Sequence, residues 1–191
     1  VLNKQVARAL KRTADLIELS GGNAFRARAY AQAARAVDTH PEPVAALAAS
    51  GRLTEVPAIG EGVRADIEAL LASGTSDTLD ALFAALPPGL PDVLRVRGLG
   101  PKRARTLWQE LGVESLVDLE AAALAGRVAA LAGFGKKTEA RLLEAALQVQ
   151  GYMRQRHYAA AVAMAEPVLA ALRAAPGFAR AEPAGALRRR S

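Results

Sequence analysis

Leu94-Arg95-Val96-Arg97-Gly98-Leu99-Gly100-Pro101-Lys102-Arg103-Ala104-Arg105 reads as the end of a short helix, a tight hairpin and the start of a second helix. Pro101 suits the first helical position, where its missing N–H is not needed and its φ is already set. Gly98 and Gly100 allow a sharp bend without side-chain bulk. Leu99, between them, is free to turn inward and pin the two helices. What remains outside is a row of unsatisfied backbone N–H groups, with Lys102, Arg103 and Arg105 beside it. That combination is an anion site whose natural ligand is a phosphate.

The device recurs. Leu53-Thr54-Glu55-Val56-Pro57-Ala58-Ile59-Gly60-Glu61-Gly62-Val63 comes before it, and Leu131-Ala132-Gly133-Phe134-Gly135-Lys136-Lys137 after it. Their centres, Ile59-Gly60, Leu99-Gly100 and Phe134-Gly135, lie roughly 35–40 residues apart, as expected for a repeated supersecondary unit. The first copy is the weakest, with Ala58 in place of the first glycine and the acids Glu61 and Asp66 nearby. One such hairpin serves equally well as a plain helix connection. Three in a basic, helical chain point to phosphate contacts that hold a nucleic acid without reading its bases. The candidates are Gly60, Gly62 and Arg64; Gly98, Gly100, Lys102 and Arg103; and Gly133, Gly135, Lys136 and Lys137.

Outward from the hairpins the pattern is helical. Asn3 to Leu19 has Val6, Leu10 and Ile17 on one face, with Asn3 as a possible cap and Ser20-Gly21-Gly22 as its end. A helix carrying Arg26, Arg28 and Arg35 follows Asn23 and stops at His40-Pro41. Thr75 to Leu86 forms another helix, and Pro87-Pro88-Gly89 interrupts any regular structure. Three units are expected: a helical domain over 1–86, a second over 87–151, and a segment over 152–191. In this last segment a long helix from about Arg154 to Ala174, kinked or restarted at Pro167, precedes a strand near Phe178 to Ala184. The fold class is therefore mainly α.

The 191 residues are 51% hydrophobic but only 4% aromatic, which suits closely packed alanine-rich helices. The net charge of +6 favours a polyanionic partner, nucleic acid before membrane. The absence of cysteine excludes disulfides and thiolate metal sites. No apolar run reaches membrane-spanning length and no signal peptide opens the chain, so a cytoplasmic location is expected. Catalysis finds little support. His40 and His157 lie far apart, Asp77/Asp80 and Glu110/Glu114 have the spacing of solvated helix faces, and there is no clustered carboxylate set for a two-metal site. A Schiff-base lysine among Lys4, Lys11, Lys102, Lys136 and Lys137 is chemically conceivable, but no apolar pocket singles one out.

The order of motifs resembles the amino-terminal part of a bacterial family X DNA polymerase, the polymerase-beta-like group. The resemblance rests on Asn23-Ala24-Phe25-Arg26 with Arg28-Ala29-Tyr30 and Ala33-Ala34-Arg35, then Val56-Pro57-Ala58-Ile59-Gly60. It continues through Gly98-Leu99-Gly100-Pro101-Lys102-Arg103-Ala104, Gly133-Phe134-Gly135-Lys136-Lys137-Thr138-Glu139 and Gly185-Ala186-Leu187-Arg188-Arg189. It implies a lyase-type domain to about Leu86, a DNA-binding thumb or fingers subdomain to about Gly151, and the opening of a nucleotidyltransferase palm. Gly185, Arg188 and Arg189 match the palm segment that holds the incoming nucleotide's triphosphate, with Ala186 in place of a serine. Arg26 and Arg28 are implied as 5′-phosphate contacts. Backbone carbonyls of Val56 and Ile59, and of Leu94, Val96 and Leu99, would hold Na⁺ or K⁺ bridging to DNA. Mg²⁺ or Mn²⁺ would act in the parent polymerase through aspartates beyond Ser191. Bacterial members usually also carry a phosphoesterase domain at the far end.

Two positions depart from the pattern. Asp66 occupies the place of the Schiff-base lysine, and Gly62 that of a phosphate-binding lysine in some members. The expected function is thus the DNA-binding portion of a gap-filling, base-excision-repair type polymerase. It would be a monomer, cytoplasmic and nucleoid-associated, binding gapped or primer-template DNA and, in the intact protein, a deoxynucleoside triphosphate. The alternatives are a stand-alone DNA-binding or adaptor module without catalysis, and a deoxyribose-phosphate lyase using a non-standard lysine.

Overall fold

The computed structural model describes residues 3–174 and residue 182. Among the described residues all regular structure is helical, as the alanine-rich composition predicts. The expected strand near Phe178, and with it Gly185, Arg188 and Arg189, lies outside the described residues.

α1 (Asn3–Ser20) ends where Gly21 takes a φ of +77°. The Gly22 N–H then bonds to the Ile17 carbonyl at 2.8 Å and the Gly21 N–H to Glu18 at 3.2 Å, closing the last turn. α2 (Ala24–Thr39) begins at Asn23, whose side chain accepts hydrogen bonds from the N–H groups of Phe25 and Arg26. Asn3 does not act as expected at the start of α1. It sits inside the first turn, and its Oδ1 accepts from the Val44 N–H at 2.7 Å while its Nδ2 donates to the carbonyls of His40 and Glu42. It therefore caps α3 (Val44–Ala49) from 41 residues away, where Pro43 offers no side-chain acceptor.

A 3-10 turn (Leu53–Glu55) leads through the first hairpin into α4 (Glu61–Ser73). α5 (Asp77–Ala84) starts at Ser76, whose hydroxyl accepts from Leu79. Past Pro87-Pro88-Gly89 come α6 (Leu90–Val93), α7 (Pro101–Leu111) and α8 (Leu116–Leu124). Gly89 is required by a close approach, since a Cβ there would meet the Glu114 carbonyl oxygen at 2.8 Å. α9 (Lys136–Ala174) is one continuous helix. The fresh helix start expected near Arg154 and the restart expected at Pro167 do not occur. Glycine in a helix costs about 1 kcal/mol without forbidding it, and a proline withdraws one N–H from a helix long enough to hold on both sides.

Two hydrophobic cores result. Val6, Leu10 and Ile17 of α1 join Tyr30, Val37, Leu47, Leu53, Ile59 and Ile67 in the first. The second gathers Leu90, Val96, Leu99, Leu107, Leu119, Phe134 and Leu142, and draws Leu16, Leu19, Leu79 and Leu86 from before Pro87. Leu82 packs against both. α1 and α5 thus splint the two lobes.

Candidate nucleic-acid interface

The three hairpins share one backbone design. In each, a residue in the left-handed region precedes an inward apolar residue: Ala58 (φ +70°) before Ile59, Gly98 (+86°) before Leu99, Gly133 (+81°) before Phe134. Ile59, Leu99 and Phe134 are all buried, at 4%, 4% and 8% exposure. Each donates its N–H three residues back, to Val56 (3.1 Å), Val96 (3.0 Å) and Leu131 (3.0 Å). One residue further on, the carbonyls of Gly60, Gly100 and Gly135 accept from Arg64, Ala104 and Glu139 at 2.9, 3.0 and 2.9 Å, which begins α4, α7 and α9.

Gly60 and Gly100 sit at the N-cap with no side chain to satisfy the first N–H groups. A Cβ built at Gly60, Gly62, Gly98, Gly100, Gly133 or Gly135 would meet nothing within 4 Å. These glycines border open space, so their role is not to admit another part of the chain. What they offer is an exposed set of N–H donors at the positive end of a helix.

The charge beside each hairpin differs. At the first, Arg64 is held on both sides, by Glu61 at 2.7 Å and Glu68 at 3.0 Å. The expected phosphate contact therefore begins from a neutralised state. Arg26 donates to the Thr78 hydroxyl at 3.2 Å and lies over the Tyr30 ring, and Arg28 lies over Phe25. Asp66 is 7% exposed and accepts a hydrogen bond from the Tyr30 hydroxyl. Burial, and secondly this hydrogen bond, raise the Tyr30 pKa.

At the second hairpin Lys102 is 84% exposed, with Glu18 3.8 Å away. Arg103 lies over the Phe134 ring and reaches the Gly133 carbonyl at 3.5 Å, so the second and third hairpins stand side by side. Lys136 and Lys137 are exposed in the first turn of α9 and form no ion pair among the described residues. Among the described residues no group of three histidine or carboxylate side chains is arranged to hold a metal ion. None of the described helices is long and apolar enough to cross a membrane.

Sequence reasoning missed two of these relationships. Tyr30 and Asp66 are 36 residues apart, and Arg103 and Gly133 are 30 apart, so no local spacing announces either contact.

The geometry agrees with comparison to known proteins. A helix-hairpin-helix domain model matches residues 1–76, and a SAM-like helix-hairpin-helix tandem model matches residues 90–146. Over 142 residues, 74% of this chain, it is 34% identical to the DNA polymerase/3′-5′ exonuclease PolX of Bacillus subtilis (strain 168). The chain belongs with the amino-terminal, helix-hairpin-helix portion of the family X DNA polymerases. The stretch shared with that family X relative makes up 24% of its length. The chain is also 29% identical over 115 residues to the Holliday junction branch migration complex subunit RuvA of Acidovorax ebreus (strain TPSY), covering 56% of each. Within this family X portion the tandem match embraces the second and third hairpins, the pair that Arg103 ties together.

Proposed function

We propose that the chain is the DNA-gripping part of a gap-filling repair polymerase. The observation that carries this is the triple recurrence of one hairpin geometry, each copy facing its helix N-terminus to open space. The grip is on phosphates: N–H groups after Gly60, Gly100 and Gly135 position the backbone, and Lys102, Arg103, Lys136 and Lys137 add salt-dependent affinity. The second and third hairpins act as a pair. The first is weaker, because Glu61 and Glu68 already occupy Arg64. Arg26 and Arg28 would meet a 5′-phosphate after leaving their aromatic partners.

The hairpin carbonyls suit Na⁺ or K⁺. Val56 and Val96 each accept one turn hydrogen bond, which leaves a second lone pair for a hard cation. In the intact polymerase, Gly185, Arg188 and Arg189 would hold the nucleotide triphosphate, and Mg²⁺ or Mn²⁺ bound outside this chain would supply the two-metal chemistry of nucleotidyl transfer. Base-excision repair in the bacterial cytoplasm is the setting this implies. Deoxyribose-phosphate lyase chemistry is not expected at Asp66, since a carboxylate cannot form the required Schiff base with an aldehyde.

The test is a salt titration of binding to gapped and intact duplex DNA. Log affinity should fall linearly with log salt, and gapped DNA should bind more tightly. Negligible binding at low salt, or indifference to salt, would overturn the phosphate reading.

A further inference from the structure

α1 presents Lys4, Arg8, Lys11 and Arg12 at helical spacings of four, seven and eight residues, so all four share one face. This face is solvent-exposed. With Arg35 of α2 and Arg95, just after α6, it walls a cleft of about 710 Å³ between the two lobes. The floor is built from Ala7 and Ala34, buried small side chains that leave a trough. Two carboxylates, Asp15 and Asp38, share the cleft with the six cations. Asp15 is taken by Lys11, and Arg95 pairs with Asp92 at 3.1 Å. Lys4, Arg8 and Arg35 form no ion pair among the described residues.

The cleft does not end at α6. Lys11, Asp15, Leu94 and Arg95 also line the adjoining depression, which is bordered by Arg97, Gly98, Gly100 and Pro101 of the second hairpin. A strand held at that hairpin therefore has a continuous basic path onto α1.

The geometry points to this trough as a second phosphate track: the DNA strand gripped by the second hairpin continues along α1, its phosphates held by Lys4, Arg8 and Arg35. The inference rests on the DNA-binding reading above and adds the path of the strand between the lobes. The eight-residue step from Lys4 to Arg12 spans about 12 Å of helix axis. That matches three or four nucleotides at about 3.4 Å each. Arg12 lies over the Phe83 ring and has a lowered pKa, through burial first and then through the charge of Arg95. Asp92 offsets part of the repulsion between these two guanidiniums, and an anion in the cleft would offset more of it.

The test compares the wild-type chain with K4A/R8A/R35A, with the charge-keeping K4R/R8K/R35K, and with R127A/R141A/R154A, which removes the same charge outside the trough. Binding to fluorescent gapped duplexes of increasing length is read by anisotropy across a salt series. The expected result is a log–log salt slope smaller by about 2–3 for K4A/R8A/R35A, with affinity at 50 mM salt down by at least ~10-fold. Its affinity should also stop rising about four nucleotides earlier in the length series. K4R/R8K/R35K should bind as the wild type, and R127A/R141A/R154A should change little. Salt-dependent wild-type binding with an unaltered K4A/R8A/R35A would overturn the track and leave the hairpin reading standing. An equal loss in R127A/R141A/R154A would also overturn it, in favour of net charge alone. A wild-type chain that does not bind DNA would remove both readings.

Discussion

The Tyr30 hydroxyl donates a hydrogen bond to the buried carboxylate of Asp66, joining α2 to α4 beneath the first hairpin. Replacing Tyr30 with Phe strands a buried acceptor, which typically costs about 1–3 kcal/mol. Thermal unfolding of Tyr30→Phe should occur at lower temperature. The folded-state pKa of Tyr30 is raised above 10.0, so the bond's contribution is complete below that pH and is lost as pH climbs through the raised value. Denaturant melts should therefore show a loss of stability above about pH 10 that is reduced in Tyr30→Phe.

The same pair governs the chemistry at that position. With Asp66 capped by Tyr30, borohydride treatment of the chain on an abasic-site substrate should trap no covalent adduct. An adduct, mapped by peptide mass analysis, would reveal a lyase working through a lysine elsewhere.

Ala58 holds a φ of +70° at the position where the sister hairpins have Gly98 and Gly133. An L-residue in the left-handed region carries a penalty of about 1–2 kcal/mol that glycine escapes. Ala58→Gly should raise the unfolding midpoint in chemical denaturation, and Gly98→Ala should lower it.

Lys102 and Arg103 flank the hairpin with the most complete set of features. Lys102→Ala with Arg103→Ala should weaken binding to all DNA sequences alike and reduce the salt slope by about 2. A changed sequence preference in a competition assay would instead mean that the stretch reads bases. Arg103 also lies over Phe134, so part of its effect should appear as looser binding at the third hairpin.

Glu61 and Glu68 restrain Arg64 at the first hairpin. Glu61→Gln with Glu68→Gln releases that guanidinium and removes two negative charges. DNA affinity should rise several-fold, and the salt slope should steepen by about 1, as expected for one added phosphate contact.

Much of the helical plan was legible because its signals are local. Gly98 and Gly100 around Leu99, Pro101 after them, and the Gly21-Gly22 stop after α1 each act within four residues. The strength of the first hairpin was legible in part: Glu61 stood out, whereas the additional hold of Glu68 on Arg64 needed the side-chain positions. Tyr30–Asp66 and Asn3–Val44 were hidden because tertiary packing alone joins residues 36 and 41 positions apart. The continuity of α9 through Gly151 was misread for the opposite reason, a local breaking tendency outweighed by the length of helix around it.

The splint made by α1 has a consequence for synthesis. Leu16 and Leu19 belong to a core whose other members include Leu90, Leu107 and Leu119. On a ribosome they emerge roughly 70–100 residues before those partners, at rates of about 5–20 residues per second. For several seconds the nascent first lobe carries Leu16, Leu19, Leu79 and Leu86 without the partners that follow Pro87. It is then a recognisable client for a chaperone, and a truncated transcript ending near Pro87 would release it with that sticky edge still uncovered.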